Sequence, residues 1–124
     1  MEHRRIGKSA VYVSDICMGT MTFGSQTDEA QAHRILDRCL DAGINFFDTA
    51  DFYSFGASEE SLRESITGTF NREELVISSK VGLPMNGSPN ARGSSRKHIN
   101  EAWVRPGGSE VPVSAKRVEG GCYW

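Results

Sequence analysis

The sequence predicts an α/β fold of parallel strands joined by crossover helices, and three observations carry that prediction. Compact apolar runs at 16–18, 44–47 and 75–79 are separated by stretches whose apolar residues recur every 3.6 positions. The helical stretches carry their own start and stop signals. Their order is strand, helix, strand, helix, strand, helix, which sets strands side by side with helices crossing between them.

The chain opens as a hairpin: Arg4-Arg5-Ile6, a turn at Gly7-Lys8-Ser9, then Ala10 to Ser14, rich in β-formers. Ile16-Cys17-Met18 follows as a short apolar run, with Gly19 and Gly24 as breaks. Thr27 is expected to cap the first helix, and Asp28 and Glu29 favour its positive end. Ala32, Ile35, Leu36, Cys39 and Leu40 share one face of it, and Gly43 supplies the stop. Ile44 to Phe47 makes a buried strand ending at Asp48. Ser58 is expected to cap a second helix through Glu59, Glu60, Leu62 and Ile66, with Gly68 past its end. Leu75 to Ser79 is the next strand, closing at Lys80.

A loop rich in Gly, Pro and Asn runs from Gly82 to Gly93, and Ser94 or Ser95 opens a third helix. Ile99, Ala102 and Trp103 are expected on its apolar face. Residues 104–124 differ, with Pro106, Gly107, Gly108, Pro112, Gly120 and Gly121 and no sustained period. Pro106 stops the third helix. An irregular C-terminal tail is expected there, strand-like at Glu110 to Ser114 at best. The chain thus divides into a domain at 1–103 and a tail at 104–124.

Composition narrows the function classes. At 124 residues the chain makes at most one domain of ordinary size. Apolar residues at 38%, with 13 glycines, come close to the globular share, which argues against disorder throughout. The 14 basic and 16 acidic residues give a net charge of -2 with no like-charge block, so neither nucleic acid nor an anionic membrane is an expected partner. Basic residues at Arg4, Arg5 and Lys8, and at Arg92, Arg96 and Lys97, read as solvated surface patches. Cys17, Cys39 and Cys122 form no CxxC pair and no zinc pattern, which suits a reducing cytosol and no metal site. The charged start lacks an apolar signal region, and no apolar run approaches the ~20 residues of a membrane span. A cytoplasmic protein is expected.

Asp48 and Lys80 end two consecutive strands. Parallel strands lie ~4.8 Å apart and deliver their C-terminal ends to one face. Tyr53 sits on the loop leaving the first of them. A tyrosine ordinarily holds its proton until pH ~10. A lysine ammonium within ~4–6 Å favours the phenolate, and a carboxylate beyond it keeps the lysine charged and aimed. Such a unit protonates a carbonyl oxygen as the carbon receives a hydride. Taken singly, each residue has a plainer reading: Asp48 as a turn residue, Tyr53 packed on Phe52 and Phe55, Lys80 marking a strand's emergence into water. The residues alone leave that choice open.

Phe47-Asp48-Thr49-Ala50-Asp51-Phe52-Tyr53, preceded by Gly43-Ile44-Asn45, resembles the signature of the aldo-keto reductase superfamily. The resemblance continues in Gly19-Thr20-Met21-Thr22-Phe23-Gly24, in Ser79-Lys80-Val81-Gly82 and in Ser95-Arg96-Lys97-His98-Ile99, and it covers about residues 3–102 in order. It implies a (β/α)8 TIM barrel, here a partial one: an N-terminal β-hairpin plugging the barrel's bottom, about three βα units and an irregular tail. It also implies NADPH bound without a Rossmann glycine loop, and reversible reduction of a small aldehyde or ketone. On that pattern Tyr53 is the proton donor, Lys80 loosens its proton, and Asp48 pairs with Lys80. Gly19, Thr20, Met21 and Asp48 would lie near the nicotinamide. Met21 and Phe23 read either as an apolar lining on one side or as plain loop packing, and the residues leave that choice open.

The pattern is also broken. The superfamily's catalytic histidine, on the strand after the third helix, has no counterpart here. His98 belongs to the helix-opening segment and is expected to be exposed, and His3 and His33 are off-site. A barrel of this type usually takes ~250 residues to close. Three units leave two open sheet edges, which invite association with another chain. Marginal stability and impaired catalysis are expected. Three readings follow: an NADPH-dependent carbonyl reductase; a non-catalytic truncated homologue acting as a binding or regulatory fragment, or arising from a shifted reading frame; and a Schiff-base aldolase with Lys80 as nucleophile. The last would want Lys80 desolvated rather than paired with Asp48.

Overall fold

Backbone pairing organises the chain into two sheets, described by a computed structural model over residues 1–67, 71–103, 115–118 and 121–123. Strands β1 (His3–Arg5) and β2 (Tyr12–Ser14) form the expected antiparallel hairpin. The Ser14 amide donates to Asn45 Oδ1 at 2.7 Å, and the Asn45 amide donates to Ser14 Oγ at 3.2 Å. The hairpin is thereby fastened to the start of the main sheet.

That sheet contains β3 (Cys17–Gly19), β4 (Phe46–Asp48), β5 (Val76–Val81), β6 (Ala115–Val118) and β7 (Gly121–Tyr123), side by side in sequence order. The first four run parallel, and β7 returns antiparallel to β6. Helices α1 (Glu29–Asp41), α2 (Ala57–Ile66) and α3 (Arg96–Trp103) occupy connections between successive strands. This is the sequential winding of a (β/α)8 barrel, carried part of the way round and left open among the described residues.

Burial along β5 alternates with the pleat. Ile77, Ser79 and Val81 are buried, whereas Val76, Ser78 and Lys80 are half-buried. Register places Met18, Phe47 and Ile77 in one row of the helix-covered face. There Phe47 and Ile77 join Leu36 and Cys39 of α1, Leu62 and Ile66 of α2, and Phe23 and Leu75. Each such side chain contributes roughly 1.5–3 kcal/mol when fully buried. The opposite face carries Cys17, Gly19, Phe46, Asp48, Ser78 and Lys80, and no helix among the described residues covers it.

Several local expectations need correction. Asp28, not Thr27, caps α1: its carboxylate accepts from the Gln31 amide at 2.8 Å while Gln31 reaches back to the Asp28 amide. Thr27 spends its hydroxyl on Thr22 instead, at 2.9 Å. Ser58 does not cap α2, which starts one residue earlier behind Gly56; Ser58 is buried and bonded to Thr20 and Thr49, which follow β3 and β4. Gly68 lies outside the described residues. Ser95 does open α3, accepting from the His98 amide at 3.1 Å.

His98 is buried rather than exposed, at 1%. His98 and Ala102 are one turn apart, so the inward stripe of α3 runs through both, where Ala102 and Ile99 pack on Val81. The tail is not irregular throughout. β6 pairs with β5 from Ser78↔Ala115 to Val81↔Val118, and β7 folds back on β6. The free edge of β5 offers unpaired amides and carbonyls, and the returning chain satisfies them despite its weak apolar pattern. The strand-like patch expected at 110–114 lies outside the described residues. No helix among the described residues is long and apolar enough to cross a membrane.

Candidate active site

Asp48 pairs in register with Ser78, so Lys80 stands two residues further along β5 on the same face. The chain does not leave β5 at once after Asp48. Thr49 N–H donates to the Ser78 carbonyl at 2.8 Å and Asp51 N–H to the Lys80 carbonyl at 3.1 Å, continuing the pairing beyond β4. A turn then closes from Tyr53 N–H to the Ala50 carbonyl at 3.2 Å. The 3-10 turn Tyr53–Gly56 follows, with Ser54 and Phe55 left-handed (φ 50° and 51°) and Gly56 at φ 99°. Left-handed backbone is uncommon for residues with a side chain, and for Phe it is strained. This sharp reversal brings Tyr53 back over the strand ends.

The sequence-predicted trio converges on one nitrogen. Lys80 Nζ lies 2.5 Å from Asp48 Oδ2, 2.9 Å from the Thr49 carbonyl and 3.2 Å from the Tyr53 hydroxyl. It also sits 4.8 Å from the Tyr53 ring centroid, within cation–π range. An ammonium has three protons and no acceptor, and here three acceptors surround it. The Tyr53 oxygen therefore accepts from Lys80, and its own hydrogen is left to point elsewhere. Burial works to lower the pKa of Lys80, but the hydrogen bonds to Asp48 and Tyr53 and their charges outweigh it, holding Lys80 above the ordinary lysine value. Lys80 is a cation in this arrangement.

The four residues expected around a nicotinamide divide into two sorts. Gly19, Met21 and Asp48 are not buried: a methyl group added at Gly19 meets nothing within 4 Å, Met21 is 63% exposed, and the Asp48 side chain is 33% exposed. Thr20 is fully buried, with its amide on the Asp48 carbonyl at 2.9 Å and its own carbonyl taken by Ser58 at 2.6 Å. It shapes the loop rather than facing a ligand. Phe23, read as lining or as loop packing, is fully buried in the core beneath the helices. His3, His33 and His98 stand on β1, α1 and α3, and none of them is among the hydrogen-bond partners of Lys80.

Sequence reasoning missed three participants. The Thr49 carbonyl is a backbone group that no side-chain pattern reports. Ser58 was masked by its resemblance to a helix cap. Glu59, buried on α2, accepts from Ser79 Oγ at 2.5 Å and thereby ties α2 to the residue before Lys80. Paired buried polar residues next to a strand's last apolar position were the available signal.

Comparison with known proteins now bears on this geometry. The aldo/keto reductase family model matches residues 15–107. The uncharacterized oxidoreductase YrpG of Bacillus subtilis (strain 168) is 42% identical over 119 residues, covering 85% of this chain and 36% of that protein. A probable voltage-gated potassium channel subunit beta of Arabidopsis thaliana is 42% identical over 105 residues, covering 82% of this chain and 31% of that one. The solved holo form of aldo-keto reductase AKR11C1 from Bacillus halodurans aligns with a TM-score of 0.70 at 36% identity, over 82% of this chain and 34% of that one. The chain spans about a third of the length of these relatives. With its sequence matched from before β3 to beyond α3 and 82% of it superimposing on a solved member, the chain belongs to the aldo/keto reductase family.

Proposed function

We propose that this chain forms the proton-donor centre of an oxidoreductase that reduces an aldehyde or ketone with NADPH. One observation carries the reading: all three Lys80 protons have acceptors, so the phenolic hydrogen of Tyr53 is the one left to give away. Tyr53 donates that proton to the carbonyl oxygen while the carbonyl carbon gains a hydride, which gives the alcohol. Lys80 stabilises the negative charge then left on the phenolate, at a distance where a cation is effective. Asp48 and the Thr49 carbonyl keep Lys80 charged and aimed. Solvent water returns the proton to Tyr53 between turnovers.

NADPH, when bound, supplies the hydride. Gly19, Met21 and Asp48 would hold its nicotinamide, and the open surface over Gly19 fits a flat ring. Preference for NADPH over NADH rests on the family resemblance, as does the class of carbonyl substrate. A cytoplasmic setting, expected from cysteine usage, belongs to the same proposal. The geometry speaks against Lys80 as a Schiff-base nucleophile, because an ammonium with three acceptors has no lone pair to offer.

The test is NADPH consumption with a panel of aldehydes by the chain and by Tyr53→Phe. Removing the general acid is expected to cut turnover by roughly 10²–10⁴-fold while NADPH fluorescence still reports binding. Equal turnover in both proteins overturns the reading. A second reading, a non-catalytic binding or regulatory fragment, is favoured by the relatives named as potassium channel subunits. It gains if neither turnover nor NADPH binding is found in a folded chain.

A further inference from the structure

The proton-donor reading leaves a buried knot of three hydroxyls unused. Thr20 follows β3, Thr49 follows β4, and Ser58 lies in the first turn of α2; none is more than 2% exposed. Ser58 Oγ donates to the Thr20 carbonyl at 2.6 Å. A hydroxyl has a single proton, so toward Thr20 Oγ1 at 3.1 Å and Thr49 Oγ1 at 3.2 Å Ser58 must accept. Thr49 then donates to Ser58, and Thr20 shares its proton between Ser58 and the Asp48 carbonyl at 3.2 Å. One oxygen thereby joins two strand ends to a helix start.

Both strand ends bear on the ammonium. The Asp48 carbonyl also accepts from Thr20 N–H at 2.9 Å, which sets the backbone from which the Asp48 carboxylate extends. The Thr49 carbonyl is itself a Lys80 acceptor at 2.9 Å. On the helix side, the turn holding Tyr53 runs without interruption into α2, so Ser58 anchors its far end.

We propose that Ser58 is a positioning residue for the Asp48–Lys80–Tyr53 unit, acting through Thr20 and Thr49. The proposal rests on the proton-donor reading of that unit. Replacing the hydroxyl by hydrogen leaves the Thr20 carbonyl without its donor and the Thr49 hydroxyl without its Ser58 acceptor, and leaves Thr20 Oγ1 only the Asp48 carbonyl, in a site water does not reach. The strand ends and the start of α2 must shift to find new partners. Displacements near 1 Å at a reacting group cost up to about 10²-fold in rate.

The experiment compares the full chain with Ser58→Ala, with Thr49→Val, which removes one arm of the knot at equal volume, and with Leu62→Ala. The last loosens α2 through its apolar face without touching a hydroxyl. The first readout is the NMR titration of Lys80 beside Nζ, which needs no turnover. Asp48, Tyr53 and the Cys17 thiol are the titrating groups that face Lys80, Arg117 is its backbone partner on β6, and none of them is substituted. The Lys80 midpoint is expected to fall by about half a unit or more in Ser58→Ala, by less in Thr49→Val, and not at all in Leu62→Ala. The second readout is kcat for aldehyde reduction, expected to drop about 10-fold in Ser58→Ala with KM unchanged. An unmoved Lys80 midpoint in Ser58→Ala and Thr49→Val, or an equal shift in Leu62→Ala, overturns the proposal. Should Ser58→Ala fail to fold, Thr49→Val decides by the same midpoint. Absence of turnover in the unaltered chain sinks the reductase reading alone, since the Lys80 titration still reports on Ser58.

Discussion

Ile77 and Ser78 are neighbours in sequence and opposites in circumstance. Ile77 is fully buried among side chains of α1 and α2, while Ser78 looks out from the uncovered face between Asp48 and the next strand. The same contrast separates Phe47 from Asp48 and Val81 from Lys80. One face carries the packing that fixes register, and the other carries the polar groups that meet because register is fixed. A slip of one residue would exchange the two sets. The precision of the Asp48–Lys80 contact is thus inherited from apolar residues on the far side of the sheet.

The sharpest way to break this comparison is to cut a large side chain from the covered face. Phe47→Ala is expected to cost about 3–5 kcal/mol, a large part of an ordinary domain's stability. Urea unfolding followed by circular dichroism should show the transition moving to much lower denaturant or vanishing. Ser78→Ala, at Asp48's register partner on the uncovered face, should stay within about 0.5 kcal/mol. Equal losses would mean that the two faces do not divide the labour.

Two glycines sharpen the same contrast more gently. Gly24 sits at φ 74°, and a methyl group there would stand 2.8 Å from the backbone of Ala57 at the start of α2. The loop after β3 can lie against α2 only because that position lacks a side chain. Gly24→Ala should cost about 1–3 kcal/mol in the same unfolding assay. Gly19→Ala meets no atom within 4 Å and no left-handed backbone, so its stability should hardly change. Any effect of Gly19→Ala would instead be read in the proposed cofactor binding.

What was legible in the sequence follows the same division. The apolar stripe of α1 and the strand runs ending at Asp48 and Lys80 could be read, because burial on one face writes a period of 3.6 or a compact apolar run. The trio could be placed at strand ends, and its resemblance to the superfamily carried the rest. Ser58 was misread because a serine beside Glu59 and Glu60 looks like a cap whichever way its hydroxyl turns. His98 was misread because a titratable residue on an amphipathic helix is usually assigned to water, yet α3 is short and its packed stripe needs that position. The tail strands were missed for a different reason. β6 and β7 pair because β5 has an edge to fill, a demand that lies in the partner strand and not in residues 115–118 or 121–123 themselves.

The smallest effect compares the faces through two cysteines that the proposed reaction does not use. Cys17 shares the uncovered face with Asp48 and Lys80; Cys39 is buried on α1. Although Cys17 as a residue is exposed, desolvation of its thiol against the strand pushes it up to about 11, the Asp48 carboxylate adds to the rise, and Lys80 pulls the other way. Cys39 is raised by burial alone. Alkylation rates track the thiolate, so their pH dependence reads both sites. Asp48→Asn removes a repelling charge and should bring the Cys17 midpoint down from about 11, whereas Lys80→Met removes an attracting one and should carry it higher. Neither change should move Cys39. Cys17, Cys39 and Lys80 all hold their protons more tightly folded than unfolded. The stability linked to them is therefore intact below the ordinary cysteine value of 9.0 and is lost as pH rises, first as unfolded thiols ionise and then through the folded values. Displacement of Cys17 in the same direction by both substitutions would mean that Asp48 and Lys80 do not face it together, and the uncovered face would lose its claim to be one connected electrostatic site.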